Sequence, residues 1–157
     1  MPRTVSLPAL QAMLAQNTSA VFLELLTITH PDLASPLRLV NNTVDIESNG
    51  NTFSATAFAG TLPNDLEKRA PAASLSVSNV DQTIITALRA LTSAPTFTLA
   101  VVVAESPDTY EYGPIDLELT DYQVNAQTIS MRLSLEDFTQ RAYPALQIDP
   151  VNFPGLF

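Results

Sequence analysis

Histidine performs most proton transfer near neutral pH, and this chain has one, His30, in a His-Pro-Asp run. Triads and metal centres need partners at defined geometry. No second histidine, no cysteine and no suitably spaced carboxylate pair stands beside it in the sequence. A loop histidine bonding within its own turn accounts for the residue. Two acid pairs, Asp45/Glu47 and Asp116/Glu118, are each two residues apart, so on strands each pair points to one face. Glycosidases use paired carboxylates at separations that tertiary structure sets. With apolar residues alternating between them, these pairs read as solvated strand faces. No serine sits in a nucleophile-elbow context, and the 4 glycines form no phosphate-cradling loop. The pattern points to a protein that transforms no substrate and takes no cofactor or metal.

The elements that carry these residues are mostly strands. Residues 7–16 read as a short helix: Ser6 caps it, Pro8 fits a first turn, and Leu7, Leu10, Met13 and Leu14 share one side. Residues 20–29 follow as a strand with apolar residues at both parities, which suits cover on both faces, the first helix lying across one of them. Glu24 is discordant there; a bulge or an interface partner would explain it. Residues 37–41 form a short strand, and Asn49-Gly50 is a hairpin turn between 44–48 and 51–57. Residues 61–71, with Pro63 and the Glu67-Lys68-Arg69 run, read as an exposed loop.

The clearest unit is 73–104. Leu75 and Val77 alternate with serines in a half-buried strand. Asn79 and Gln82 make a capping-box-like start to a helix over 79–92, with Val80, Ile84, Leu88 and Leu91 at helical spacing and Ile85 beside them. Phe97, Leu99, Val101 and Val103 then mark a long strand. Ile115, Leu117 and Leu119 alternate with Asp116 and Glu118, but Tyr122 and Val124 continue on the opposite parity, which requires a bulge near Thr120-Asp121. Ile129, Met131, Leu133 and Leu135 form the returning strand of an antiparallel hairpin. The fold class is mainly β with two helices, an antiparallel sandwich or a partly closed barrel, over residues 1–142.

Residues 143–157 are different. Pro144, Pro150 and Pro154 forbid regular helix or central strand, while Tyr143, Leu146, Ile148, Val151, Phe153, Leu156 and Phe157 are too apolar to stay in water. The segment either straps its own core or extends as an arm onto a neighbouring subunit.

Length and composition bound the rest. At 157 residues with 46% hydrophobic and 15% charged residues, the chain is one folded domain. It carries 7 bases against 16 acids, a net charge of −9. From 105 to 121 there are six acids and no base, a surface that repels phosphate and excludes stable nucleic-acid binding. Solubility alone accounts for such acidity. Absence of cysteine removes thiol chemistry and disulfides. The longest apolar stretch, 99–104, is far below the roughly 20 residues that span a bilayer. Together with an N-terminus unlike a signal peptide, this predicts cytosolic synthesis and no membrane anchor.

Two segments carry a resemblance: Val21-Phe22-Leu23-Glu24-Leu25-Leu26-Thr27-Ile28-Thr29-His30-Pro31-Asp32 with Val40-Asn41-Asn42, and Asn152-Phe153-Pro154-Gly155-Leu156-Phe157. With the strand-to-helix junction Leu75-Ser76-Val77-Ser78-Asn79-Val80, they resemble a family of small bacteriophage and prophage tail proteins of unknown function, over nearly the whole chain. More remotely, the order of elements is similar to the N-terminal part of the minor tail protein L of bacteriophage lambda, a tail-tip component. The cysteine-rich C-terminal part of that relative, associated with an iron–sulfur cluster, has no counterpart here, so no cluster is carried over.

The resemblance implies a tail-tube-like fold and a structural virion protein at the distal end of a tail. It would form a ring, threefold or alternatively sixfold, that joins the tail tube to hub or fibre proteins around the DNA channel. It also implies subunit contacts through Tyr143, Phe153, Pro154, Leu156, Phe157 and His30, and a channel lined by Asp116 and Glu118. In a different class stands a receptor- or carbohydrate-binding β-sandwich at the tail tip, against which count the absence of tryptophan and the dispersed aromatic residues. A tail-associated hydrolase would need an active constellation that the residues do not supply.

Overall fold

A strand with apolar side chains on both faces is satisfied only inside a sheet that has material above and below it, and the strand at 22–29 holds that position. A computed structural model describes residues 5–61, 72–78, 83–125 and 127–135. The elements are α1 (Leu7–Leu14), β1 (Phe22–Thr29), β2 (Leu37–Val40), β3 (Ile46–Ser48), β4 (Asn51–Ala55), β5 (Phe58–Thr61), β6 (Ala72–Ser78), α2 (Thr83–Arg89), β7 (Thr96–Val103), β8 (Ser106–Val124) and β9 (Thr128–Ser134). The fold is mainly β. The strands form one sheet of nine in the order β3-β4-β2-β1-β7-β8-β9-β6-β5, rather than the two sheets of a sandwich. Its pairings are antiparallel except that of β2 with β4, which is parallel and makes the sheet mixed.

A two-residue connection dictates the shape of this sheet. β4 and β5 are separated by Thr56 and Ala57 alone, so Ala55 and Phe58 lie within about 11 Å of each other. In the sheet order they are seven strand spacings apart, about 34 Å if the sheet were flat. The sheet must therefore roll until β5 returns to the β2–β1 region. Hydrogen bonds fix both ends of the link: the Thr56 N–H donates to the Val40 carbonyl at 2.9 Å, and the Ser78 N–H donates to the Ala57 carbonyl at 2.9 Å. The roll is not closed by a ladder: among the described residues, β5 pairs with β6 and not with β1 or β2.

Rolling produces two cores on opposite faces of β1 and β7. Leu26, Ile28, Phe97 and Leu99 face the larger one, with Leu75, Val77, Leu117, Ile129, Met131 and Leu133. α2 contributes Ile85, with Ile84 and Leu88 against its edge, the expected apolar stripe. Leu23, Leu25, Ala100 and Val102 face the smaller core, covered by Phe53 of β4 and Ile46 of β3. The named cover of that second face is thus the β3–β4 hairpin. α1 is tied instead to β8, through Ser6 and Glu111. The hairpin tip is anchored on the turn into β8: Ser48 Oγ donates to the Pro107 carbonyl at 2.7 Å, and the Asn49 N–H to Asp108 Oδ1 at 2.6 Å.

The bulge expected near Thr120-Asp121 is present. Leu119 pairs with Leu133 and Asp121 with Arg132, so Thr120 is the extra residue that returns Tyr122 and Val124 to the core-facing parity. β8 also runs further back than the alternation at 115–119 predicts, because Gly113 absorbs a second irregularity between the Leu99 and Val101 pairings. The start of the second helix at 79–82, the loop at 62–71 and the segment 136–157 lie outside the described residues.

Gly113 has φ +82, and a Cβ there would sit 2.5 Å from the Leu99 carbonyl oxygen. Gly50 has φ +71 with nothing within 4 Å. Gly50→Ala should therefore cost only the left-handed backbone penalty, about 1–2 kcal/mol. Gly113→Ala should cost about 3 kcal/mol or more, because main chain must move. Urea midpoints of the two variants check this; equal midpoints would contradict the close approach.

Candidate functional site

Over β8, β9, β6 and the Thr96–Thr98 end of β7, the parity opposite the larger core turns outward, and that face is where Asp116 and Glu118 lie. Thr98 stands opposite Asp116 and Thr96 opposite Glu118, while on the β9 side Ser134 stands opposite Glu118 and Arg132 opposite Asp121. Thr98 Oγ1 donates to Asp116 Oδ1 at 2.6 Å, and the hydroxyls of Thr120 and Ser134 are 2.8 Å apart. The array continues over β6, where Ser74, Ser76 and Ser78 face Arg132, Ser130 and Thr128 of β9. Ser74 also bonds Thr61 of β5 at 2.7 Å.

Chemically this face is a sheet of hydroxyls and exposed carboxylates, with Arg132 as the base in register with Asp121. Strand geometry keeps Asp116 and Glu118 about 7 Å apart on one side. Among the described residues, no three acid or histidine side chains gather as a metal site. The arrangement can hold water and repel phosphate. An open cleft of about 270 Å³ beside it is lined by Leu88, Leu91, Pro95, Leu119 and Tyr122, with Asp121 as its lining carboxylate.

His30 directly follows β1, at the end of the sheet where Thr29, Thr96 and Glu118 stand in register, and beside the loop that precedes β7. Its ring is buried, with 2% side-chain exposure. Nδ1 accepts the Asp32 N–H at 3.0 Å, so the ring proton sits on Nε2, which bonds Ser93 Oγ at 2.7 Å. Asp32 accepts from Thr92 Oγ1 at 2.7 Å and from the Thr92 N–H at 3.3 Å. Those two bonds, the hydroxyl first, hold the Asp32 carboxyl below its ordinary range. The histidine thus makes the turn hydrogen bond its sequence context suggests and clamps two loops together. The other residues expected at subunit contacts, Tyr143, Phe153, Pro154, Leu156 and Phe157, lie outside the described residues.

Glu24 sits on the seam left by the incomplete roll. A Cβ built on Gly60 of β5 would lie 3.9 Å from Glu24 Oε2, although β5 and β1 are five strand spacings apart in the sheet order. Leu75, Leu99 and Leu133 line the same small void. Partial burial raises the Glu24 carboxyl above its ordinary value. The β1 ladder to β7 runs through Glu24 without a break, so no bulge explains it.

One constellation left no trace in the sequence. Glu111 is buried and accepts both the Ser6 N–H at 2.7 Å and the Ser6 hydroxyl at 2.6 Å, while Ser6 Oγ caps α1 by accepting the Ala9 N–H at 3.3 Å. The carboxylate thus stands at the positive end of α1. A partner 105 residues away has no local signature.

Residues 8–148 match the family model described as a domain of unknown function (DUF1833), and the chain belongs to that family. A search of the curated proteins finds no match.

Glu24 sets a pH dependence. Because its folded-state value is raised from 4.5, the folded state holds its proton over a range in which the unfolded chain has lost it. Stability from this group is therefore full below the unfolded value and falls as pH rises through the folded one. Glu24→Gln should be more stable than wild type at about pH 7, the difference closing toward about pH 4. Urea unfolding across that range measures it; a variant less stable at neutral pH would show that the carboxylate has a partner.

Proposed function

For this member of the DUF1833 family, we propose a structural role in a bacteriophage tail tip or baseplate. In this reading the chain forms a homo-oligomeric ring that joins the tail tube to hub or fibre proteins around the DNA channel, and works by shape and adhesion rather than catalysis. The observation that carries the proposal is the outward face of β7, β8, β9 and β6. It pairs hydroxyls with carboxylates across successive strands, in a chain with a net charge of −9. Lining a channel, Asp116 and Glu118 keep a phosphate backbone from adhering during passage. The resemblance of the 21–32, 75–80 and 152–157 segments to small phage tail proteins supports the same assignment.

The rolled sheet also suits assembly. Among the described residues it ends in two short edges, β3 and β5, and short edges resist uncontrolled strand addition while leaving lateral faces free for specific contacts. Threefold symmetry is the favoured ring order, with a sixfold ring as the alternative. The C-terminal arm, through Tyr143, Phe153, Pro154, Leu156 and Phe157, supplies subunit contacts, and the loop clamped by His30 lies at the interface.

The purified chain should run as a trimer or hexamer by light scattering, and removal of residues 143–157 should leave a folded monomer. Asp116→Lys with Glu118→Lys should keep the ring mass but acquire salt-sensitive binding to duplex DNA, read by fluorescence anisotropy. A wild-type chain that stays monomeric beside its tail partners, or that turns over a wall polymer, overturns the proposal.

A further inference from the structure

We propose that Asn49 is a site of spontaneous covalent modification, and that its conversion to aspartyl and isoaspartyl forms releases the hairpin covering the smaller core. The site stands whether the chain acts alone or in a ring.

The chemistry lies in two adjacent residues. Asn49 is the only asparagine followed by glycine, and both residues of the turn are exposed. The attacking atom is the Gly50 backbone nitrogen, and its target is Asn49 Cγ. A glycine amide has no side chain to shield it. A Cβ at Gly50 would meet nothing within 4 Å, so a ring closing at this point encounters no protein. The strand ladder also leaves this amide out, since Ser48 pairs with Asn51 across the turn. Attack forms the Gly50 N–Cγ bond and breaks Cγ–Nδ2. The amide proton passes through solvent to Nδ2, which leaves as ammonia. Water then opens the cyclic imide at either carbonyl, giving an aspartyl or an isoaspartyl residue. One water is consumed for each ammonia released, and nothing is oxidised or reduced.

The consequence follows from how the tip is fastened. The β3–β4 hairpin carries Ile46 and Phe53 over Leu23, Leu25, Ala100 and Val102. Its base is tied to β2 by a short parallel ladder, Leu39 to Ser54 and Val40 to Ala55. Its tip is tied by the Ser48 hydroxyl on the Pro107 carbonyl and by the Asn49 N–H on Asp108 Oδ1. Asn49 Nδ2 also donates to Ser48 Oγ at 3.3 Å, and Ser48 is 1% exposed. The Ser48 hydroxyl has a single proton, already given to Pro107, and it accepts from the carboxamide. A carboxylate in place of that carboxamide can only accept. Ser48 must then turn its proton away from Pro107, or leave two oxygens facing each other with no hydrogen between them. The new negative charge also arises on the residue whose N–H holds the Asp108 carboxylate, so like charges meet at the tip. In the isoaspartyl form the main chain runs through Cβ and Cγ. That extra carbon lengthens a two-residue turn whose length sets the register of the hairpin.

To test this, the full-length chain is held warm in mildly alkaline buffer, and its products are separated by ion exchange and mapped by mass spectrometry. Conversion at Asn49 ahead of every other asparagine is the expected result. The converted fraction should melt about 2–4 °C below the unmodified chain, the shift for one lost hydrogen bond in a domain of this size. Its β4 amides should exchange faster with solvent while those of β7 keep their protection. Asn49→Gly keeps the left-handed turn without the carboxamide, so it should neither convert nor lose melting temperature during the incubation. An Asn49 that outlasts any other asparagine overturns the site. A converted chain with unchanged melting, or with unchanged exchange over β4, overturns the release of the hairpin.

Discussion

Two residues, Thr56 and Ala57, impose the geometry on which the rest of this protein depends. They join strands that lie near opposite ends of a nine-stranded sheet, and so compel the sheet to roll. From that constraint follow the large core, the seam between β5 and β1, and the position of Glu24 on the seam. The hydrogen bonds from Thr56 to Val40 and from Ser78 to Ala57 tie the link to β2 and β6, the neighbours of the two strands it joins.

The β1–β7 pair is the shared wall of both cores. Leu26 and Leu99 face one way, Leu25 and Ala100 the other, each pair in register. A strand buried on both faces tolerates few polar residues, and this makes Glu24 informative. It occupies the one stretch of β1 that looks into the incompletely closed seam, where partial solvation offsets the cost of an ion. The outward parity beyond β1 is hydroxyl and carboxylate because nothing in the described chain covers it. The α1 surface differs in kind: among the described residues it is uncovered yet apolar.

Local pattern made much of this legible. Ile115, Leu117 and Leu119 against Tyr122 and Val124 located the bulge at Thr120, because a parity change has no other explanation in a strand. Asn49-Gly50 marked its hairpin, since both residues must accept positive φ. The alternation at 115–119 marks only part of β8, which runs from Ser106 and takes up register shifts against β7 at its start. The strand at 51–57 was read as one because Phe53, Ala55 and Ala57 keep alternating through the link. The carboxylates at 116 and 118 were placed on a solvated face by alternation alone, and Thr98 supplies a partner that alternation cannot name.

By itself the sequence determined which residues alternate, which side of each strand is apolar, and that the chain is acidic and free of cysteine, since these depend only on residue type and spacing. Tertiary structure alone decided between the sandwich and the partly closed sheet in favour of one rolled, unclosed sheet, and decided that β2 and β4 run parallel, that Glu111 anchors α1, and that the helix shows its apolar side to water. Those outcomes turn on which distant segments meet. Strand order and long-range polar contacts are set by the competition among all possible pairings for the same edges and the same core, and no window of local sequence contains that competition.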